Sequence, residues 1–425
     1  MASFSIPLTG LDADSTALNT IANNLSNMST TAFKAQTTKF SDLFYQQVGT
    51  AGSGDPIQVG AGVKVSNNET SFTSGSISST GVDTDVAIDG NGFFVIDSGS
   101  GAYEYTRAGN FSLTSSGSLT TSSGLSVMGY PATNGVVNTN GGLAAITIPI
   151  GQVQQPQATT SFSMTTNLNA SATTGTTFPG QVTVYDSLGV SHVVTVTFTQ
   201  TAANTWDYSA ALPATDFTSG ASTPITGTLN FDSSGVLTSV TSGGVTSTVG
   251  TAAGDVSSIP LSFSGLTDGA ASLNMSWNLL NSSDTPNVGQ VSAKSAVSST
   301  SQDGHAPGQY QSFTIGSDGT VTVTYSNGQK QDVGQLALAN VPNLQGLEKL
   351  GNGDYATTLA SGTASIGVSG SAGLGALEDG ALEGSNVNIS QEFANLIVAQ
   401  RAFEASSKAV TTFDSVTQET INMIR

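Results

Sequence analysis

Apolar positions near the start of the chain recur with a helical beat. Leu11, Leu18 and Leu25 stand seven residues apart, and Ile21 and Met28 fall three or four residues from them. One apolar stripe therefore runs along a helix expected over residues 8–28. Pro7 falls in its first turn, where the missing N–H removes no helix hydrogen bond. The far end repeats the pattern over a longer span. Ile389, Leu396, Phe403, Val410 and Ile424 follow a heptad series broken only at Thr417, with Phe393, Phe413 and Ile421 beside it. Asn388 with Gln391 three residues on has the form of a capping box, Glu392 suits the positive end of the helix dipole, and Glu404 with Lys408 makes an i,i+4 pair. A helix over 389–424 would be roughly 50 Å long. A rod of that length cannot bury its own stripe, so it requires the N-terminal helix, neighbouring molecules, or both.

Between these ends the beat changes to alternation. Residues 85–88, 92–96, 181–185, 192–199, 228–231 and 320–325 read as short strands separated by Gly, Asn, Asp and Ser turns, with 192–199 alternating most clearly. Antiparallel β structure follows from that spacing. Apart from Gly10, every glycine lies between Gly49 and Gly384, so the two ends differ in composition from the middle. Pro149 and Pro156 border a Gln-rich connector, and residues 292–300 read as a second polar connector. Residues 158–291 are accordingly expected to be an inserted β domain.

Composition narrows the functions available. Among 425 residues there are 10 Lys+Arg against 29 Asp+Glu, a net charge of −19, and no Lys or Arg lies between Arg107 and Lys294. Binding to nucleic acid is excluded on that charge, as is attraction to anionic membranes. No apolar run approaches the roughly 18–20 residues of a spanning helix, so no membrane insertion is expected. The opening residues lack a basic segment followed by a long apolar core, and no cleavable secretory leader is expected. Without Cys there are no disulfides, thiolate nucleophiles or Cys-ligated zinc, and His192 and His305 leave little for acid–base or metal chemistry.

Candidate sites remain weak. Asp83, Asp85 and Asp89 before Gly90-Asn-Gly could be calcium ligands, but the spacing does not complete an EF-hand, and a hairpin turn is the simpler reading. Gly90 and Gly92 lack the third glycine and following helix of a phosphate loop. Asp303 beside His305 does not define a catalytic dyad. Trp206 and Tyr208 read as strand or core residues, with an outer subunit contact as the alternative. No catalytic residue, cofactor or metal is assigned.

Several fragments resemble a known family, the axial proteins of the bacterial flagellum. Ile21-Ala-Asn-Asn-Leu-Ser-Asn-Met-Ser-Thr-Thr-Ala-Phe-Lys34 is similar to the rod and hook signature, with Asn23, Asn24, Asn27 and Phe33 at its marked positions and Ala32 where the family usually has glycine. If that position needs a positive φ, Ala32 carries a steric cost. Residues 80–96, Tyr105-Thr-Arg-Ala-Gly-Asn-Phe111, 127–130, Pro342-Asn-Leu-Gln-Gly-Leu347, 382–393 with Ser385 and Asn386, and 399–405 also match in the family's order. Rod members share the ends but are shorter, so the inserted segment favours a hook member over a distal rod protein.

The resemblance implies a multi-domain fold: an α-helical coiled-coil-like terminal domain from 1–48 and 384–425, an inner β domain with connecting segment from 49–157 and 292–383, and an outer β domain at 158–291, the β domains being mainly antiparallel. It implies a structural, non-enzymatic subunit, exported through the flagellar type III apparatus without signal cleavage, at the extracellular hook. Its partners would be copies of itself, the distal rod protein, the hook cap during assembly and the hook–filament junction protein. The polymer interface would use Leu11, Leu18, Ile21, Leu25, Met28, Ile389, Phe393, Leu396, Phe403, Val410, Phe413, Ile421 and Ile424. A rod protein with an insertion, an exported surface adhesin or array protein, and a polysaccharide-degrading enzyme are the alternatives.

Overall fold

The computed structural model describes residues 5–423 except Ser100 and Ser222. Ile424, expected to close the C-terminal stripe, lies outside the described residues. The chain divides into two units, Met1–Ile150 with Ser312–Thr324 and Lys330–Arg425, and Gly151–Gln311 with Tyr325–Gln329.

The first unit contains both helices, α1 (Ser5–Ser26) and α2 (Ile389–Met423). They pack against each other, and α1 also lies on the antiparallel pair Gln36–Asp42 and Val63–Thr70. The capping box expected at Asn388 forms in half. The Asn388 side-chain oxygen accepts from the Gln391 N–H at 3.2 Å, but the Gln391 side chain donates to Asn395 instead. Thr417, the break in the heptad, satisfies its hydroxyl by donating to the Phe413 carbonyl at 2.7 Å. Beyond the helices, strands Lys330–Asn340, Ser126–Thr133, Phe93–Asp97, Tyr103–Thr106 and Asp354–Ala356 neighbour one another in that order. Their core contains Phe93, Val95, Met128, Tyr130, Ala337 and Tyr355, and Phe72 meets Phe93 and Tyr355 at ring distances of 6.0 and 5.7 Å.

The second unit is built from two sheets. One is a six-stranded antiparallel meander from Thr177–Tyr185 to Val245–Thr248, its strands neighbouring in chain order. The alternation expected at 192–199 puts His192, Val194, Val196 and Phe198 inside. The other sheet centres on Ser161–Asn169, which runs parallel to Leu273–Asn278 and Val288–Val291 and antiparallel to Ala296–Gln302. These two parallel pairs stand among antiparallel ones. Residues 292–300 are thus largely a strand rather than a connector. Its exposed, polar character leaves no hydrophobic alternation to read. Both sheets supply one core around Trp206, Trp277, Phe162, Phe198 and Tyr208. The Trp206 indole N–H donates to Gln290 Oε1 at 2.8 Å, so Trp206 and Tyr208 are core residues, not an outer contact.

Candidate assembly surface and buried polar sites

A glycine of α1 faces a serine of α2 at close range. A Cβ on Gly10 would stand 3.3 Å from Ser406 Oγ, and that hydroxyl donates to Asp14 Oδ2 at 2.9 Å. Ile6 and Pro7 share a groove with Ala409 and Phe413, so the helices run antiparallel. With 22 residues against 35, α1 is roughly 33 Å long and α2 roughly 52 Å, and α1 leaves part of its partner uncovered.

The stripe residues fall into two sets. Leu11, Leu18, Ile21 and Leu25 of α1 are half-buried, as are Leu396, Phe403, Val410 and Phe413 of α2. Met28, beyond the end of α1, is exposed, and so are Ile389, Phe393 and Ile421. The heptad reading missed Ile397, 51% exposed, which extends the open row of Ile389 and Phe393, and Val398, 68% exposed, which faces another side of the helix. No described residue of α2 is fully buried. A second apolar surface follows α1, where Phe44 is 90% exposed and Tyr45, Val48, Ile57 and Val59 are open as well.

The signature residues anchor α1 to the rest of its unit. Asn24 is wholly buried and imitates a strand edge. Its amide donates to the Gln36 carbonyl at 2.7 Å and its oxygen accepts the Gln36 N–H at 2.9 Å. One turn earlier, the Thr38 hydroxyl donates to Thr20 Oγ1 at 2.8 Å. Asn27 donates back to the Asn23 carbonyl at 2.9 Å and accepts from Thr30 Oγ1, fastening the helix end. Ala32 then turns the chain at φ 54°, the left-handed conformation in which the family's glycine would be unstrained. Asn386 serves the C-terminal side: its oxygen accepts the Ala35 N–H at 2.8 Å, its amide reaches the Ser71 and Thr73 carbonyls, and its N–H donates to the Phe33 carbonyl. Ser385 accepts the Val387 N–H at 3.3 Å.

Below that junction lies an ionic node absent from the sequence reading. Glu383 accepts from Lys34 Nζ at 2.6 Å through one oxygen and from Arg107 Nε at 3.0 Å through the other, and all three side chains are almost completely buried. Arg107 also donates to the Gly90 and Gly92 carbonyls at 2.8 Å, and the Gly75 N–H donates to Glu383 at 2.8 Å. Gly75 admits no side chain, because a Cβ would stand 2.0 Å from the Gly384 carbonyl oxygen. Burial, its largest influence, holds the Lys34 ammonium below the usual lysine range against the pull of Glu383, and the charge of Arg107 adds to the depression. The node ties an N-terminal residue, a C-terminal residue and the β sheet together.

Another polar cluster closes one end of the second unit's core. His192 Nδ1 is 2.9 Å from Asp216 Oδ2, and Nε2 is 3.1 Å from Asp186 Oδ2 and 3.4 Å from Asp268 Oδ2. Burial opposes the imidazolium, but hydrogen bonds to Asp216 and Asp186 outweigh it and raise the His192 pKa. Asp186 is pushed up by burial and drawn down by Asp268, His192 and the N–H groups of Val190 and Leu188, ending below the ordinary carboxylate range. The donor atoms of Asp186, His192 and Asp268 lie within 4.8 Å of one another, so these residues could hold a metal ion. Asp85, for which a turn was preferred over a calcium site, accepts from Thr80 Oγ1 at 2.7 Å. Asp303 binds Thr160 and Ser161 rather than His305.

Comparison with known proteins covers most of this framework. The model described as "Flagella basal body rod protein" matches residues 7–34, "Flagellar hook protein FlgE/F/G D1 domain" 87–172, "Flagellar basal body protein FlaE D2 domain" 157–305, and "Flagellar basal body rod FlgEFG protein C-terminal" 378–423. The flagellar hook protein FlgE of Salmonella typhimurium is 36% identical over 438 residues, covering 99% of this chain and 100% of the relative. FlgE of Escherichia coli K12 is 35% identical, with 99% of each chain covered, and that of Treponema pallidum 32% identical, with 98% of each covered. Among solved structures, the Helicobacter pylori hook protein FlgE2 matches 71% of this chain and 99% of its own at 15% identity, with a TM-score of 0.52, a likeness of fold.

Proposed function

Because the chain belongs to the flagellar hook protein family, we infer that it is a structural subunit of the hook, polymerising with its own copies into a curved, flexible tube that carries torque from rod to filament. The observation carrying this reading is relatedness over nearly the whole chain, both helical ends included. The physical state of α2 supports it. A row of apolar side chains stands open along a helix whose partner within the chain is shorter. Each such side chain taken fully out of water contributes about 1.5–3 kcal/mol, enough in combination to drive association of many copies.

In this proposal the helical ends form the inner tube, the strands of the first unit form the inner β domain, and the second unit, Gly151–Gln311 with Tyr325–Gln329, forms the outer one, so the expected inner segment 292–383 gives up its first strand, Ala296–Gln302, to the outer domain. Leu11, Leu18, Ile21, Leu25, Leu396, Phe403, Val410 and Phe413 hold the helices together. Met28, Ile389, Phe393, Ile421 and Ile424, joined by Ile397, meet neighbouring subunits. Export proceeds through the type III apparatus without signal cleavage, and the ends of the polymer meet the distal rod protein and the hook–filament junction protein, with the hook cap present during growth.

The test is Phe393→Asp. Phe393 is 49% exposed in the single chain, so the monomer's free energy of unfolding should stay within about 0.5 kcal/mol of the parent, while tubes disappear from electron micrographs and motility is lost. Normal tubes from this variant would remove the exposed row from the interface.

A further inference from the structure

Three side chains of the second unit converge with their other polar atoms already committed. Asp186 Oδ1 accepts the N–H groups of Leu188 and Val190 at 2.8 and 2.9 Å, which turns Oδ2 inward. Asp268 Oδ1 accepts the Ala270 N–H at 3.0 Å and likewise leaves Oδ2 facing the cluster. His192 Nδ1 is held by Asp216, which leaves Nε2 to the same space. Asp268 Oδ2 is sealed from solvent and takes no hydrogen bond, although it lies 3.4 Å from Nε2. Two carboxylate oxygens turned to one point in a buried space repel unless a proton or a cation stands between them.

We propose that Asp186 Oδ2, His192 Nε2 and Asp268 Oδ2 bind one first-row divalent transition cation of the zinc class, with Asp216 orienting the imidazole from behind. The separations of Nε2 from the two oxygens, 3.1 and 3.4 Å, are close to the ligand-to-ligand edge of about 3.3 Å in a tetrahedron with metal bonds of about 2.0 Å. A carboxylate on the far imidazole nitrogen is the arrangement that fixes the tautomer of a metal-binding histidine. One imidazole with two carboxylates favours zinc, cobalt or manganese over calcium, which takes six to eight oxygen ligands. A fourth position is left for water.

The elements joined in this way come from both sheets. Asp186 lies in the turn after Thr177–Tyr185, His192 in Ser191–Ala202, Asp216 in the short 3-10 turn Ala214–Asp216, and Asp268 between Ser258–Phe263 and Leu273–Asn278. A cation here fastens one sheet to the other in a chain that has no cysteine for the purpose.

Monomeric full-length protein stripped with a chelator and titrated with Zn2+ or Co2+ is expected to bind one ion per chain. Co2+ should give the visible absorption of a four-coordinate site, and Zn2+ should raise the unfolding midpoint, whereas Ca2+ should leave it unchanged. Asp268→Asn and Asp216→Asn should each weaken Zn2+ binding by about 10–100-fold. The far-UV circular dichroism of each metal-free variant should match the parent. The proposal is overturned if the parent chain binds neither Zn2+ nor Co2+ in a one-to-one ratio, which would leave the space to protons. It is equally overturned if Ca2+ stabilises as well as Zn2+, or if folded Asp268→Asn binds Zn2+ as tightly as the parent.

Discussion

Trp206 and Trp277 are entirely enclosed in the second unit, whereas α2 runs for 35 residues without one fully buried side chain among those described. Both regions are rich in large apolar residues, and their difference lies in where the partner surface is found. The β unit supplies both faces of its core from one stretch of chain, so burial is complete in the single molecule. In α2 part of the apolar surface meets α1 and the remainder is left open. A fully enclosed core contributes to stability alone, while a half-covered stripe leaves apolar area that another surface would have to cover.

The sharpest break of that comparison is Trp277→Ala, expected to cost about 3–5 kcal/mol in denaturant unfolding while the remaining folded protein still forms tubes. Loss of tubes at unchanged stability would place Trp277 at an interface and erase the distinction. Next is Glu383→Gln, which leaves Lys34 and Arg107 buried without their anion. A loss of about 3–5 kcal/mol is expected, read as a lower unfolding midpoint of the first unit. A neutral result would mean that the buried cations reach water. Asn24→Ala should be milder, about 1–3 kcal/mol for the two Gln36 backbone groups it orphans, with the protection of Gln36 and its neighbours in hydrogen exchange falling first. Smallest and of opposite sign is Ala32→Gly. Relief of the left-handed turn should stabilise by about 1 kcal/mol despite the added chain entropy of glycine, and a destabilised variant would show that the Ala32 methyl matters more than its φ.

The regular parts of this architecture could be read from periodicity, because each depends on neighbours in sequence. The stripes of Leu11 to Leu25 and Ile389 to Val410 marked both helices, and alternation through His192, Val194, Val196 and Phe198 marked a strand with the correct inward face. The open row at Ile397 escaped because a straight helix drifts about 20° per heptad, so a strict seven-residue frame follows only one edge of the apolar face. Asn24 was recognised as a signature residue, but its imitation of a strand edge depends on where Gln36 returns. Lys34, Arg107 and Glu383 were invisible for a simpler reason. Isolated charges carry no period, and only the folded chain brings them within hydrogen-bonding reach. The Asp186–His192–Asp268 cluster has the same character, since three separate turns and strands deliver its members.

Lys34 and Glu383 are separated by 349 positions along the chain. Their contact closes a loop that spans most of the molecule, and α1 and α2 meet across the same interval. The meander of the second unit instead joins each strand to the next through short turns. Contacts between distant positions are slow to form because loop closure precedes their reward. The order of events is therefore set by connectivity. Hairpins of the meander can close while the chain is still being made, but the junction of the two ends must wait until residue 383 has been added. The helical pair and the buried ionic node are therefore completed last, on a molecule whose meander has already closed.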